Sequence, residues 1–283
     1  MEADMIQNDQ ATGLRMMVKW LKRHKENPAL ADIPNPSVRT IAITSGKGGV
    51  GKTNITANLA IAMTMQNKKI AVIDADLGLA NIDVILRLNP KYNLEHVVMG
   101  EKKLQDIFIK GPGGLTIIPA SPGRLPMASL SEIDRTILIK EILKSANNFD
   151  VTFIDTAAGI SNNVVDFVIS AQETIVITTP EPTAITDAYA MIKVISQRAD
   201  RNIGIIVNMV QNSEQAKDVY DRISIAAKRF INAKVHFIGY VLKDPAVPDS
   251  VTMQQPLIFR YPNSNATQCI NALAKEILEN RIK

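Results

Sequence analysis

Gly46-Lys47-Gly48-Gly49-Val50-Gly51-Lys52-Thr53 is the stretch on which the reading of this chain turns. It matches the pattern G-x-x-x-x-G-K-[ST], in which glycines let the backbone wrap a phosphate with its N–H groups pointing inward. The context is the one this pattern requires. A strand-like run, Thr40–Ser45, leads into it, and a helical pattern, Lys52–Gln66, follows, so the phosphates meet the positive end of a helix. Lys52 supplies a cation for phosphate oxygens, the Thr53 hydroxyl can ligate Mg²⁺, and Asn54 continues the nucleotide-binding run. The spacing implies a site for ATP and Mg²⁺.

Outward from this loop, short runs rich in Ile and Val alternate with longer helical patterns. Strands are expected at Thr40–Ser45, Lys69–Asp74, Leu115–Pro119, Val151–Asp155, Thr174–Thr179, Ile203–Asn208 and Val235–Val241. Helices are expected at Lys52–Gln66, Ser131–Asn147, Asn162–Ser170, Thr186–Asp200, Glu214–Asn232 and Asn265–Ile282. The strands lack polar alternation, as strands covered on both faces do. The fold class that follows is α/β: a doubly wound, mostly parallel sheet with ligands at the carboxyl ends of its strands.

Those strand ends carry the remaining chemistry. Asp74 and Asp76 close the run KIAVIDAD, and Asp155 closes VTFID before Thr156-Ala157-Ala158-Gly159. Carboxylates placed there can orient an attacking water or hold hydrated Mg²⁺; caps and turn formers are the plainer alternative. Lys47 is a second lysine inside the loop. It suits a cation for the transition state, one supplied across a dimer interface included, and an exposed loop lysine fits the spacing equally well. Asn208 ends the run IGIIVN, where its amide could donate to and accept from an adenine edge. Lys243–Pro256, with prolines at 245, 248 and 256, is a candidate wall for the base.

Composition narrows the class. A single cysteine, Cys269, excludes an intramolecular disulfide framework and a Cys-rich metal or cluster site within one chain. His24, His96 and His236 share no ligand spacing. No apolar run reaches the ~18 residues of a membrane span, the polar start MEADMIQNDQ is no secretory signal, and the cytoplasm is the expected compartment. Of the net charge of +4, five cations fall between Leu14 and Lys25: Arg15, Lys19, Lys22, Arg23 and Lys25. The rest is near neutral, which argues against a broad nucleic-acid face. Leu14, Met17, Val18 and Leu21 form a helical stripe, with Trp20 beside it, and three prolines break the chain over Asn27–Pro36. The division expected is a helical arm, 1–25, a linker, 26–37, and an ATPase body, 38–283.

With these residues quoted, the chain resembles a known group. KGGVGKT with its additional Lys47, DADLGLANID and DTAAGI resemble the deviant Walker motif and two switch segments of the division-site and partitioning ATPases, the MinD/ParA group, over nearly all of residues 38–260. Asp9-Gln10-Ala11-Thr12-Gly13-Leu14-Arg15 is similar to the DQAxxLR element of the flagellar-number ATPases (FlhG, also called FleN or YlxH). The resemblance implies an ATP hydrolase of slow turnover that dimerises when ATP-bound and regulates the number and placement of flagella. In it, Lys47 reaches the other subunit's phosphates and Asp76 positions water, while Thr53 and Asp155 serve Mg²⁺ directly or through water. It further implies that the arm, through Asp9, Gln10, Leu14 and Arg15, stimulates a GTPase of the signal-recognition-particle type. Flagellar C-ring components or a flagellar transcription regulator are further implied partners, and the periphery of the inner membrane or the cell pole a further location. A DNA-partitioning or other positioning ATPase is the alternative. One departure stands out: family members end in an amphipathic membrane-targeting helix, whereas Asn265–Lys283 carries Cys269, Ile270, Leu273, Ala274, Ile277 and Leu278 at core-helix spacing.

Overall fold

Arg39–Thr44, buried at every position, runs as β1 through the middle of a sheet in the computed structural model, which describes residues 39–76, 81–120, 130–200 and 202–282. The other strands are β2 (Ile70–Ala75), β3 (Ile109–Lys110), β4 (Thr116–Ile118), β5 (Val151–Thr156), β6 (Glu173–Thr178), β7 (Asn202–Val210) and β8 (Val235–Leu242). Their order across the sheet is β3-β4-β2-β5-β1-β6-β7-β8. All neighbours pair in parallel except β3 with β4. Parallel strands need crossovers, and helices supply them: α1 (Lys52–Thr64), α2 (Ile82–Ile85), α3 (Leu94–Val98), α4 (Glu132–Ala146), α5 (Asn162–Ser170), α6 (Pro182–Arg198), α7 (Ser213–Ile231), α8 (Ala246–Thr252), α9 (Leu257–Arg260) and α10 (Asn265–Glu279).

Side chains alternate across a strand, so each strand feeds two cores. Ile41, Ile43, Val72, Phe153, Ile175 and Ile206 share one core with Ile55 and Leu59 of α1 and Ile270 and Leu273 of α10. Ala42, Ile73, Ile154, Val176 and Ile205 share the other with Leu138 of α4, Phe167 of α5, Met191 of α6 and Val219 of α7. Burial on both faces explains why these strands read as unbroken apolar runs. It also aims the acids. Asp74 has the parity of Ile70 and Val72, Asp155 has the parity of Phe153, and the register sets Asp74 opposite Asp155 and Ile43 opposite Asp155. Both carboxylates therefore project on the α1 side, level with the end of β1.

The body closes on itself at the other end of the strands. Arg39 donates through Nε and a guanidinium nitrogen to both oxygens of Glu173, at 2.7 and 2.6 Å, and caps the end of α10 by donating to the carbonyls of Ile277 and of Asn280, the latter at 2.9 Å. Glu173 also accepts the Ile282 N–H at 3.0 Å. In α10, Ile270, Leu273, Ala274 and Ile277 are buried, and the helix packs against α1 and β8, so this end of the chain is part of the domain core.

Two departures from the expected elements flank the loop. Helix α6 starts at Pro182, four residues ahead of Thr186, and α8 occupies Ala246–Thr252, inside the segment expected only as a wall. Proline lacks an N–H, but the first turn of a helix has no partner for one, so Pro182 and Pro248 are tolerated where they stand. The arm 1–25 with Asp9, Gln10, Leu14 and Arg15, the linker 26–37, Trp20, His24 and residues 77–80 lie outside the described residues.

Candidate functional site

The loop from Gly46 to Gly51 joins β1 to α1 at the carboxyl edge of the sheet. Gly51 is the N-cap of α1 in the left-handed region, φ 85°, where a side chain would be strained. No side chain caps α1, and its first turn holds no acid, so its free N–H groups and positive dipole face the loop unneutralised. By contrast, α4 is capped by Ser131 and carries Glu132 and Asp134 in its first turn. Gly46 is required for close approach: a Cβ there would stand 2.1 Å from the Asp187 carbonyl oxygen of α6.

Lys52 reaches back across the loop, and its Nζ lies 3.0 Å from Asp155 Oδ1 and 3.5 Å from Thr53 Oγ1. Thr56, one helical turn after Lys52, places its hydroxyl 3.1 Å from the same Asp155 oxygen. Asp155 is buried, and its Oδ2 has no hydrogen-bond partner. An orphaned anionic oxygen in that position is costly by itself. Lys52 Nζ lies between this carboxylate and the Thr53 hydroxyl, and the two oxygen donors suit a hard cation that keeps most of its shell for water and phosphate, as Mg²⁺ does. Among the described residues, no group of three or more His, Cys, Asp or Glu forms a protein-only metal cage.

Asp74, 2% exposed, spends its carboxylate on the backbone. Oδ1 accepts the Asp76 N–H at 3.1 Å, and Oδ2 accepts the N–H groups of Asn81 at 3.1 Å and Ile82 at 3.3 Å. It thereby ties residue 76 to the start of α2 across the 77–80 segment. Burial, and then the nearby Asp155 charge, raise its pKa to about 8 against the pull of those three amides. Asp76 is half-buried, one residue past the end of β2. After β5, the Gly159 N–H donates to the Ser45 carbonyl at 2.9 Å and holds the DTAAGI segment to the start of the phosphate loop.

Lys47 turns to its own chain: Nζ lies 2.7 Å from Glu181 Oε2 and 2.9 Å from Thr183 Oγ1, at the start of α6. Both charged partners are solvent-accessible, Lys47 by 37% and Glu181 by 65%, so the pair stabilises the fold little. Asn208 is buried against the loop, and its amide N–H₂ donates to the Val50 carbonyl at 2.8 Å. One N–H of the amide goes to Val50, which fixes which way round the amide sits and leaves its oxygen as an acceptor. A cavity of about 720 Å³ opens there, lined by Asn54, Asn208, Met209 and Leu242 together with Val247 and Val251 of α8, mostly apolar and large enough for a nucleobase.

Thr56, Glu181, Thr183, Asp187 and Met209 are not among the residues that the sequence patterns single out. Inspection of each strand's carboxyl end could have found Glu181, which stands two residues beyond Thr179 in a Pro-Glu-Pro turn.

The model of the CobQ/CobB/MinD/ParA nucleotide binding domain matches residues 41–257. The antiactivator FleN of Pseudomonas aeruginosa is 37% identical over 241 residues, 85% of this chain and 86% of that protein. The flagellum site-determining protein YlxH of Helicobacter pylori is 35% identical over 257 residues, 87% and 86% of the two chains. Among solved structures, the cell division ATPase MinD of Pyrococcus furiosus superposes with TM-score 0.74 at 26% identity, covering 85% of this chain and 98% of that one. The septum site-determining MinD of Pyrococcus horikoshii, complexed with Mg-ADP, gives TM-score 0.73, also at 26% identity, covering 85% and 96%. Among the described residues, no helix is long and apolar enough to cross a membrane.

Proposed function

The chain belongs to the MinD/ParA family of ATP hydrolases that work with Mg²⁺, and we propose that it uses ATP as a switch to regulate the number and placement of bacterial flagella. The observation that carries this is the match to antiactivator FleN, at 37% identity over 85% of the chain, joined to the resemblance of Asp9–Arg15 to an element of the flagellar-number ATPases. The second flagellar relative, YlxH, supports the same reading.

In this reading, Thr53 and Asp155 would hold Mg²⁺, directly or through water, and the ion would offset phosphate charge. Lys52 exchanges its Asp155 contact for the β- and γ-phosphates, and the N–H groups of Gly48 to Thr53 cradle them. Asp76 orients the attacking water. Asp74 acts by anchoring the backbone around Asp76, and its proximity to Asp155 lets it support hydrated Mg²⁺. Lys47 leaves Glu181 and reaches the partner subunit's phosphates when two ATP-bound copies meet. The weakness of an exposed pair makes that exchange inexpensive. The three-part division into arm 1–25, linker 26–37 and body 38–283 belongs to this proposal, as does the arm's target, a GTPase of the signal-recognition-particle type. Docking by such an arm would use Leu14, Met17, Val18 and Leu21 as anchors in a groove. C-ring components or a flagellar transcription regulator, at the cell pole or the inner membrane surface, are its further partners and place.

The test is a GTPase assay with the full chain. The chain should raise the partner's GTP turnover, and deleting residues 1–25, or changing Leu14→Ala with Arg15→Ala, should remove the effect and leave ATP hydrolysis unaltered. Stimulation that survives the deletion excludes the arm as the activator.

A further inference from the structure

Three observations converge on Asn208, beyond its place on the wall of the base cavity. Its amide N–H₂ donates to the Val50 carbonyl at 2.8 Å, joining β7 to the phosphate loop across 158 residues of sequence. The neighbouring loop position is shaped around that amide: a Cβ on Gly51 would stand 2.5 Å from Asn208 Nδ2. Finally, the strand is bent to deliver it. The pairing of β7 with β8 shifts register between Val207 and Val210, and Met209 sits in the left-handed region at φ 59°, a conformation that a methionine adopts only at a cost in free energy. The bulge turns Asn208 inward to the loop and leaves Met209 on the cavity wall.

We propose that Asn208 is a positioning residue for the phosphate loop and couples base recognition to phosphate binding. Its hydrogen bond fixes the Val50–Gly51 peptide, and through it the Gly51 and Lys52 N–H groups that meet the phosphates. The same bond decides which end of the amide is offered to the base. With the amide nitrogen held against Val50, the oxygen is the acceptor that remains, so the site favours a base edge bearing a donor, such as a 6-amino group, over a 6-oxo group that this oxygen would repel. A base that engages that oxygen holds the amide in place and with it the loop. The inference rests on reading the site as a nucleotide site and adds a link between its two halves.

Asn208→Asp separates the halves, because aspartate keeps an acceptor for the base while setting a carboxylate oxygen against the Val50 carbonyl. Titrations well below each variant's melting midpoint would use Mg²⁺ with ADP, with ATP, with inosine triphosphate, and with tripolyphosphate, which has no base. Asn208→Asp should lose about tenfold or more in tripolyphosphate affinity, the scale of one buried hydrogen bond turned to repulsion, and keep the wild-type ratio of ATP to inosine triphosphate affinity. Asn208→Ala, which has neither group, should lose both. Wild-type tripolyphosphate affinity in either variant overturns the proposal and leaves Asn208 a base contact only. A lower melting midpoint with unchanged tripolyphosphate affinity overturns it as well, since the bond is then purely structural. Failure of the wild-type chain to bind Mg²⁺·ADP would instead defeat the nucleotide reading of the site.

Discussion

Two buried ion pairs lie at opposite ends of the same group of strands, and they are built to opposite standards. At the amino end of the sheet, Arg39 and Glu173 meet through two parallel contacts of 2.7 and 2.6 Å, and backbone groups of the C-terminal segment fill the remaining positions on both partners. At the carboxyl end, Lys52 and Asp155 meet through one contact of 3.0 Å, and Asp155 Oδ2 has no partner. Exposure is alike, 8% and 3% for the first pair against 9% and 1% for the second. What separates a structural pair from a working one here is saturation. The guanidinium fork is consumed by its partners and cannot leave them. The ammonium is a point charge on a flexible stem, facing a carboxylate that still has an oxygen to give. A buried polar group left short of partners calls for a reason, and on the function proposed above the reason at the carboxyl end is Mg²⁺.

The comparison can be broken or sharpened by four experiments, taken from the largest effect down. Lys52→Ala should abolish ATP binding in calorimetric titration, since the phosphates lose their only buried cation among the described residues; near wild-type affinity would collapse the distinction. Arg39→Ala should leave ATP affinity close to wild type and cost about 3–5 kcal/mol of stability, because Glu173 is stranded. At roughly 2–4 °C per kcal/mol for a domain of this size, thermal melting should fall by about 10 °C. Asp76→Ala should keep Mg²⁺·ATP bound while hydrolysis drops about 10²-fold, near 2.7 kcal/mol of barrier, and so trap an ATP-bound dimer visible by size exclusion. Normal turnover in that variant would move the water-orienting role to Asp74 or elsewhere. The smallest effect belongs to Lys47 and Glu181. A double-mutant cycle on thermal unfolding should return less than about 1 kcal/mol, and a coupling near 3 kcal/mol would make this exposed pair a structural one too.

How much of this could be read from the residues alone depends on the reach of the interaction. The phosphate loop is contiguous, so its chemistry and its strand–helix setting were legible, and α5 lies at Asn162–Ser170 as the apolar pattern indicates. The aspartates were legible because strand ends in a parallel sheet share one edge. That Asp74 would turn its oxygens onto the N–H groups of residues 76, 81 and 82 was not, because strand position fixes direction and not hydrogen-bond partners. The contacts Lys47–Glu181 and Asn208–Val50 join positions 134 and 158 residues apart, which no local pattern registers. Proline misled in the other direction. Three prolines over residues 245–256 suggest irregular chain, yet Pro248 falls in the first turn of α8, where its missing N–H costs nothing. Short pieces such as α2, α3 and β3 fall below the length at which periodicity can be told from chance.

Glu173 also has a consequence for how the chain is strung. It holds the side chain of Arg39 and the backbone N–H of Ile282 on one carboxylate, so the first strand and the last turn of the body come together at a single point. Order of connection is then separable from architecture. A short bridge joining residue 282 to residue 39, with new termini opened at the exposed turn near Asn232, would yield a circular permutant with every strand still beside its neighbours. In the natural order, that junction is where residues 1–38 attach, at the opposite end of the strands from Lys52 and Asp155. The bridge would therefore be built at one end of the strands and leave the loop at the other end as it is.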